Sequence, residues 1–334
     1  MRIIAGTTGP VEVPRLAPHP PSLVASWHMV APSGALRRGG ILRAALGDLP
    51  LVLFRGRRDA VVRTLPAHCE HQGVDLAQGS VNGDCLRCPL HHWEYTDRCV
   101  RSNGRMRAVE ELRRPQYVTA ERHGMIFIHP GDVASSPLPT FRTVDESTLH
   151  FRTGRAVHLD APWFVPIANA FDITHLETVH RRRLERGPTI EYPDATTFVL
   201  RYGTSVTGNG WSDRVMRAMS GNRIDVTITC AGGPVVMVES VAGTHRSHMM
   251  IAVTPVRDGV SILPLYAVPR RRDGLHRAHA FAAHLLFTAF LGRDIRPLSG
   301  IRFPPQFRDD GDATLNACYR FLCALPEHRV EDRS

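Results

Sequence analysis

Apolar and polar positions alternate over short spans in the first third of the chain. "GILRAAL" (40–46), "LPLVLFR" (49–55), "AVVRTLPAHC" (60–69), "QYVTAERHG" (116–124) and "MIFIHPGD" (125–132) read as brief strands separated by glycine-bearing turns. A polar, proline-rich lead precedes them to about Ser22, and "GDVASSPLPTF" (131–141) has the composition of a linker. The pattern then changes. "NAFDITHLETVHRRRL" (169–184) has helical spacing, and "TTFVLRYGTSV", "RIDVTITCAGGPVVMVESV", "SHMMIAVTPV" and "VSILPLYAV" predict strands. A long amphipathic helix is expected over about Leu275 to Leu291, ahead of an arginine- and proline-rich tail. The fold class is therefore α+β: a small all-β unit followed by a larger unit built on an antiparallel sheet.

A chain of 334 residues, 43% hydrophobic and 22% charged, can bury a substantial core and excludes a disordered chain. The formal charge is +9 and every Lys or Arg position is arginine. These arginines are scattered, with short runs at 181–183 and 270–272 and no aromatic-basic stripe, so nucleic acid is not expected as a partner. An acidic redox protein is a better match for the charge. The N-terminus lacks a signal-peptide pattern, and "AFAAHLLFTAFLG" is too short and too interrupted by histidine to span a bilayer. A cytoplasmic protein without a membrane span is expected. In a reducing compartment clustered cysteines are better read as metal ligands than as disulfides.

Two clusters of such residues stand out. In "CEHQGVDLAQG" and "CPLHHWEY", Cys69 and His71 form C-x-H, and Cys88 and His91 form C-x-x-H about one hairpin later. Each half offers one thiolate and one imidazole, unlike a zinc finger, where like ligands pair along the chain. The interleaving suits a [2Fe–2S] cluster of the Rieske type, with the cysteines on one iron and the histidines on the other. Gly73, Gly79 and Gly83 suit the tight loops, and Trp93 and Tyr95 are placed to shield one side. A structural zinc site is the bland alternative. His92 adjoins His91, but the C-x-x-H spacing favours His91. Cys85, Cys99, Cys230, Cys318 and Cys323 have no partner pattern and are expected to be small buried hydrophobes.

The second cluster is Asp172, His175 and His180. On one straight helix His175 and His180 fall about 60° and 80° to opposite sides of Asp172, so they converge only with a local break. Two histidines and a distant carboxylate form a facial triad that leaves sites open on Fe(II). An isolated H-x-x-x-x-H describes two incidental histidines equally well.

Taken together, the two clusters resemble the Rieske non-haem iron oxygenases. The first is similar to C-x-H-R-G-x-x-L-x-x-G and C-P-x-H-G-W-x-F/Y, with Gln72 and His92 in place of arginine and glycine. The second is similar to N-x-x-D-x-x-H-x-x-x-x-H starting at Asn169, with Ala168 where the family has glutamate. The resemblance runs from about Trp27 to Leu325. It implies a Rieske domain over 23–135 and a helix-grip catalytic domain over 140–330, with a [2Fe–2S] cluster and Fe(II) as cofactors. It also implies that the third iron ligand follows the long helix. Asp294 fits, with Asp309, Asp310 and Asp312 as rivals. By resemblance Asp172 is the catalytic acid that links His175 of one subunit to the cluster histidine His91 of its neighbour in a head-to-tail homotrimer.

The implied activity is hydroxylation of an apolar polycyclic, aromatic or natural-product molecule with O2, as the oxygenase component of a monooxygenase that works without a small second subunit. Demethylation and desaturation are the alternatives within the family. A non-enzymatic electron carrier or ligand-binding protein is the alternative outside it. No G-x-G-x-x-G follows a strand, so a separate NAD(P)H-dependent reductase, a ferredoxin or both would supply electrons. Arg98, Arg101 and Arg105 could receive such a donor. The substrate pocket is expected from the segment after His180 and the strands around Met237, Met249 and Tyr266.

Overall fold

The computed structural model describes residues 23–102, 105–108, 116–270, 274–301 and 312–328. The first unit consists of three small antiparallel sheets. Strands Ile41–Leu46, Leu49–Arg55 and Val62–Pro66 form one, and His28–Pro32 pairs with Met125–Pro130, which pairs with Tyr117–Arg122. The third runs in the order 105–108, 99–102, 94–95, 85–87, 80–82, and its short hairpins carry the Cys/His loops. Val52, Phe54, Leu65, Leu86, Tyr95 and Val100 fill the core beneath those loops, so a rigid base holds them.

The second unit is dominated by one antiparallel sheet of eight strands. Its path is 149–153, 259–269, 245–256, 235–242, 224–231, 197–206, 182–194, with 157–159 also paired to 259–269. Alternation along these strands serves two cores. Met249 and Ile251 face helices α1 (Phe164–Asn169) and α5 (Ala313–Cys323), while Met250 and Ala252 face Met29 and Phe127 of the first unit. The back of the large sheet is therefore sealed by the first unit's own strands. At the chain's two ends, Leu23–Val24 pairs with Glu327–His328.

Three sequence expectations are corrected. The segment 169–184 is not one helix: α1 ends at Asn169, α2 spans Ile173–Thr178, and a strand starts at Arg182. The long helix, α4, runs His276–Leu298, two turns further than expected, so Asp294 lies within it and not after it. The third helix in chain order, α3 (Trp211–Ser220), and helix α5 had no counterpart in the sequence reading. Asp309 and Asp310 lie outside the described residues, as does the end of the expected 140–330 span.

Candidate metal centres

The first centre sits at the tips of the small hairpins. Cys69 and Cys88 are buried, whereas His71 and His91 are exposed, with their Nδ1 atoms 3.0 Å apart. Thiols inside and imidazoles outside suit a two-iron cluster with unequal ends. The Tyr95 hydroxyl, fully buried, lies 3.0 Å from Cys69 Sγ, and the Trp93 ring stacks on His71 at 4.9 Å. Burial pushes the Cys69 thiol up, so the thiolate form depends on a bound metal, whose binding releases the proton. Gly79 is needed for space, since a Cβ there would meet the Arg87 carbonyl at 2.2 Å. His92, with φ +58°, occupies a left-handed position, which explains why a glycine suits it, and it is His91 whose Nδ1 faces His71. Of the unpatterned cysteines, Cys230 and Cys318 are buried, while Cys85, Cys99 and Cys323 are half-buried. Arg98, Arg101 and Arg105 are exposed, and Arg101 lies 3.5 Å from Glu94.

The second centre depends on the break in the helical segment. After α1 the chain makes i,i+3 turns, with Phe171 N–H donating to Ala168 and Asp172 N–H to Asn169. Asp172 then caps α2, its Oδ1 accepting from the His175 N–H at 2.7 Å. The helix stops at Thr178, and Arg181, with φ +52°, turns the chain into the strand from Arg182. The Arg181 carbonyl accepts from Thr207 N–H at 2.9 Å, which anchors that turn. His180 thus lies beyond the helix end and swings back toward His175. From the other side α4 presents Phe290 and Asp294, one helical turn apart on the same face.

The result is a compact donor set. Nε2 of His175 and Nε2 of His180 each lie 2.8 Å from Asp294 Oδ1, and the three ligand atoms fall within 4.8 Å of one another. Two imidazole nitrogens and one carboxylate on a single side match the two-histidine, one-carboxylate arrangement that suits ferrous iron. Phe290 stacks on His180 at 3.6 Å and fixes its ring plane. Burial lowers the His180 pKa against the pull of Asp294, a shift toward the neutral imidazole that a metal ligand needs. Burial would raise Asp294, but the hydrogen bonds to His175 and His180 outweigh it and hold it below the usual range, as an anionic ligand requires. Burial, together with nearby Asp312, raises the Asp172 carboxyl to about 6. Asp312 caps α5 through Leu315 N–H and is not part of the donor set.

The donor set opens into a cavity of about 710 Å3 between the large sheet and α4. Val226, Ile228, Met249, Ile251, Tyr266 and Phe287 form much of its wall. Met249 and Tyr266 are where the sequence reading expected pocket residues. Met237 is not: it faces the first unit's core on the opposite side of the sheet. Arg182 lies in the segment after His180 where pocket residues were expected, whereas sequence reasoning missed Asp213 and Arg293; the three line this cavity and meet across the fold.

Comparison with known proteins agrees with this architecture. Residues 26–117 match the Rieske [2Fe-2S] domain. Aminopyrrolnitrin oxygenase PrnD of Pseudomonas fluorescens is 26% identical over 313 residues, covering 84% of this chain and 85% of that protein. Cholesterol 7-desaturase nvd of Bombyx mori is 27% identical over 290 residues, covering 82% of this chain but 61% of its own length. The crystal structure of dicamba monooxygenase bound to dicamba shares the fold, with a TM-score of 0.65 at 19% identity over 89% of this chain and 96% of that one. These likenesses support a Rieske non-haem iron oxygenase, an oxidoreductase that uses O2, with a [2Fe–2S] cluster and catalytic Fe(II) as its cofactors. An oxygenase of this kind implies an electron-donor partner and a small-molecule substrate. Among the described residues no helix is long and apolar enough to cross a membrane.

Proposed function

We propose that this chain is the oxygenase component of a monooxygenase that hydroxylates an apolar, ring-bearing molecule, with electrons supplied by a separate NAD(P)H-dependent reductase, directly or through a ferredoxin. The observation that carries this reading is the convergence of His175, His180 and Asp294 on the wall of a largely apolar cavity of about 710 Å3. In this reading unit 23–135 holds the cluster through Cys69, His71, Cys88 and His91, and unit 140–330 holds the iron. The cluster supplies single electrons and the ferrous ion supplies open coordination sites for dioxygen.

The chain's own residues do the rest. His175 and His180 present imidazole nitrogens on one side of the site, and Asp294 contributes the charge that favours a divalent ion. Phe290 and the apolar wall exclude water and hold a hydrocarbon surface against the donor set. Asp172, three residues ahead of His175 and accepting from its backbone N–H, links to His91 of a neighbouring subunit in a homotrimer. Desaturation is a second reading within the family, supported by the likeness to a cholesterol 7-desaturase.

A single-turnover experiment tests the proposal. Anaerobically reduced protein is mixed with O2 and, one at a time, a panel of aromatic and polycyclic compounds, and products are read by mass spectrometry. Uptake of an 18O label into at least one ring-bearing compound is expected. Dehydrogenated products without label would favour desaturation, and no product from any apolar compound would overturn the substrate class.

A further inference from the structure

The cavity wall holds a charge that the metal centre does not use. Arg182 lines the cavity with its side chain only 6% exposed, and its NH1 nitrogen is buried with no hydrogen-bond partner among the described residues. The acid facing it, Asp213, lies 3.6 Å from NH2, beyond good hydrogen-bond length. Asp213 is already engaged. Its Oδ2 accepts from Arg293 NH2 at 2.9 Å and from Gly210 N–H at 3.1 Å, and its Oδ1 lies 3.3 Å from Arg293 NH1. Two guanidinium groups thus share one carboxylate, which leaves a buried positive charge with an idle donor. Such a group is costly unless an anion or strong acceptor comes to it.

Its location limits what that partner is. The other acids of the cavity wall are committed elsewhere: Asp294 lies between the two histidines and Asp172 caps α2. The Arg182 guanidinium carbon lies 5.9 Å from the centre of the Phe290 ring, the same ring that stacks on His180. The Arg182 guanidinium is therefore one aromatic ring away from the iron-site imidazole, in a largely apolar wall.

We propose that Arg182 determines specificity by anchoring a carboxylate of the substrate, so that the preferred substrate is an apolar ring-bearing acid and not a neutral hydrocarbon. The proposal rests on the reading of this cavity as the substrate site. The carboxylate accepts from the Arg182 guanidinium, the hydrocarbon body lies along Val226, Ile228 and Met249, and the far end of the molecule is directed by this tether. The pairing is a charge-assisted hydrogen bond, the kind that gains most from a water-poor wall.

Equilibrium binding of 2-naphthoate and of its methyl ester to the full metal-loaded chain, followed by titration calorimetry, tests this without relying on turnover. The two probes share a ring system and differ in charge. Wild type is expected to bind 2-naphthoate about tenfold tighter than the ester, the size of one charge-assisted hydrogen bond. Arg182→Met should remove that preference while keeping ester binding, and Arg182→Lys should retain part of it. Equal binding of both probes by wild type, or a preference that survives in Arg182→Met, overturns the anchor. The wild-type comparison and Arg182→Lys decide the matter should Arg182→Met fail to fold. Binding of neither probe overturns the anchor together with the cavity's assignment as substrate site, whereas equal binding overturns the anchor alone.

Discussion

His92 stands in a left-handed backbone position, φ +58°, beside His91 at the tip of a cluster hairpin. A residue with a Cβ pays conformational energy there, on the order of 1 kcal/mol, that glycine avoids. His92→Gly should therefore stabilise the first unit by about that amount and leave the cluster's visible spectrum unchanged, as read by thermal loss of the cluster absorbance. Asp172 offers a second test at this scale, because it both caps α2 and is the proposed link to the neighbouring cluster. Asp172→Asn preserves a good cap and removes the charge, so folding and both metals should survive while reoxidation of the reduced cluster slows. Asp172→Ala should in addition cost about 1 kcal/mol of stability through the lost cap. Cluster reoxidation at the wild-type rate in Asp172→Asn would remove the linking role.

Among the elements, the strands His28–Pro32 and Met125–Pro130 join the first unit to the back of the large sheet, and a buried histidine lies in that joint. Burial holds His28 at about pH 4 against an ordinary 6.5, with Val24 O 3.2 Å from its Nε2. The folded chain keeps this imidazole neutral, whereas the unfolded chain takes up a proton below pH 6.5. Stability should thus fall as pH drops from 6.5 towards 4 and this contribution should then level off, a total of about 3 kcal/mol. His28→Gln, which keeps a donor for Val24, should lose less stability across that window in denaturant titrations. An unchanged pH slope would contradict the account.

Elements also mark where the sequence was legible. The strands 41–46, 49–55, 197–206, 224–231, 235–242 and 259–269 followed from short, largely apolar runs rich in β-branched and aromatic residues and bounded by turn signals. The strand 182–194 did not: "RRLERGPTIEYPD" carries Gly and Pro and is exposed over most of its length, so no apolar period marks it. The four cluster residues were readable because short loops bring them together. Asp294 required the family resemblance, since 114 positions separate it from His180 along the chain and only the packing of α4 against the turn at Arg181 joins them. Arg182 stood out only as one arginine of the run 181–183 in the segment after His180, and Asp213 lay in a stretch where no element was read.

At the scale of the whole molecule, the account divides labour between a hairpin-borne centre at the surface and a buried one under α4. That division predicts that damage to one leaves the other intact. His180→Ala should lose the mononuclear iron and all product formation, yet keep the cluster spectrum, because Cys69 and Cys88 lie in a separate core with His71 and His91 exposed on the loops above it. If the subunits are linked head to tail, size measurement should show a trimer, and dilution to monomers should halt turnover while both metals remain bound.

The most direct measurement is iron and acid-labile sulfide, determined side by side on anaerobically purified wild type and His180→Ala. The account predicts iron in excess of sulfide in the wild type and equal amounts in the variant, with sulfide the same in both. Zinc in place of iron, absence of sulfide, or an unchanged iron excess in His180→Ala would contradict it.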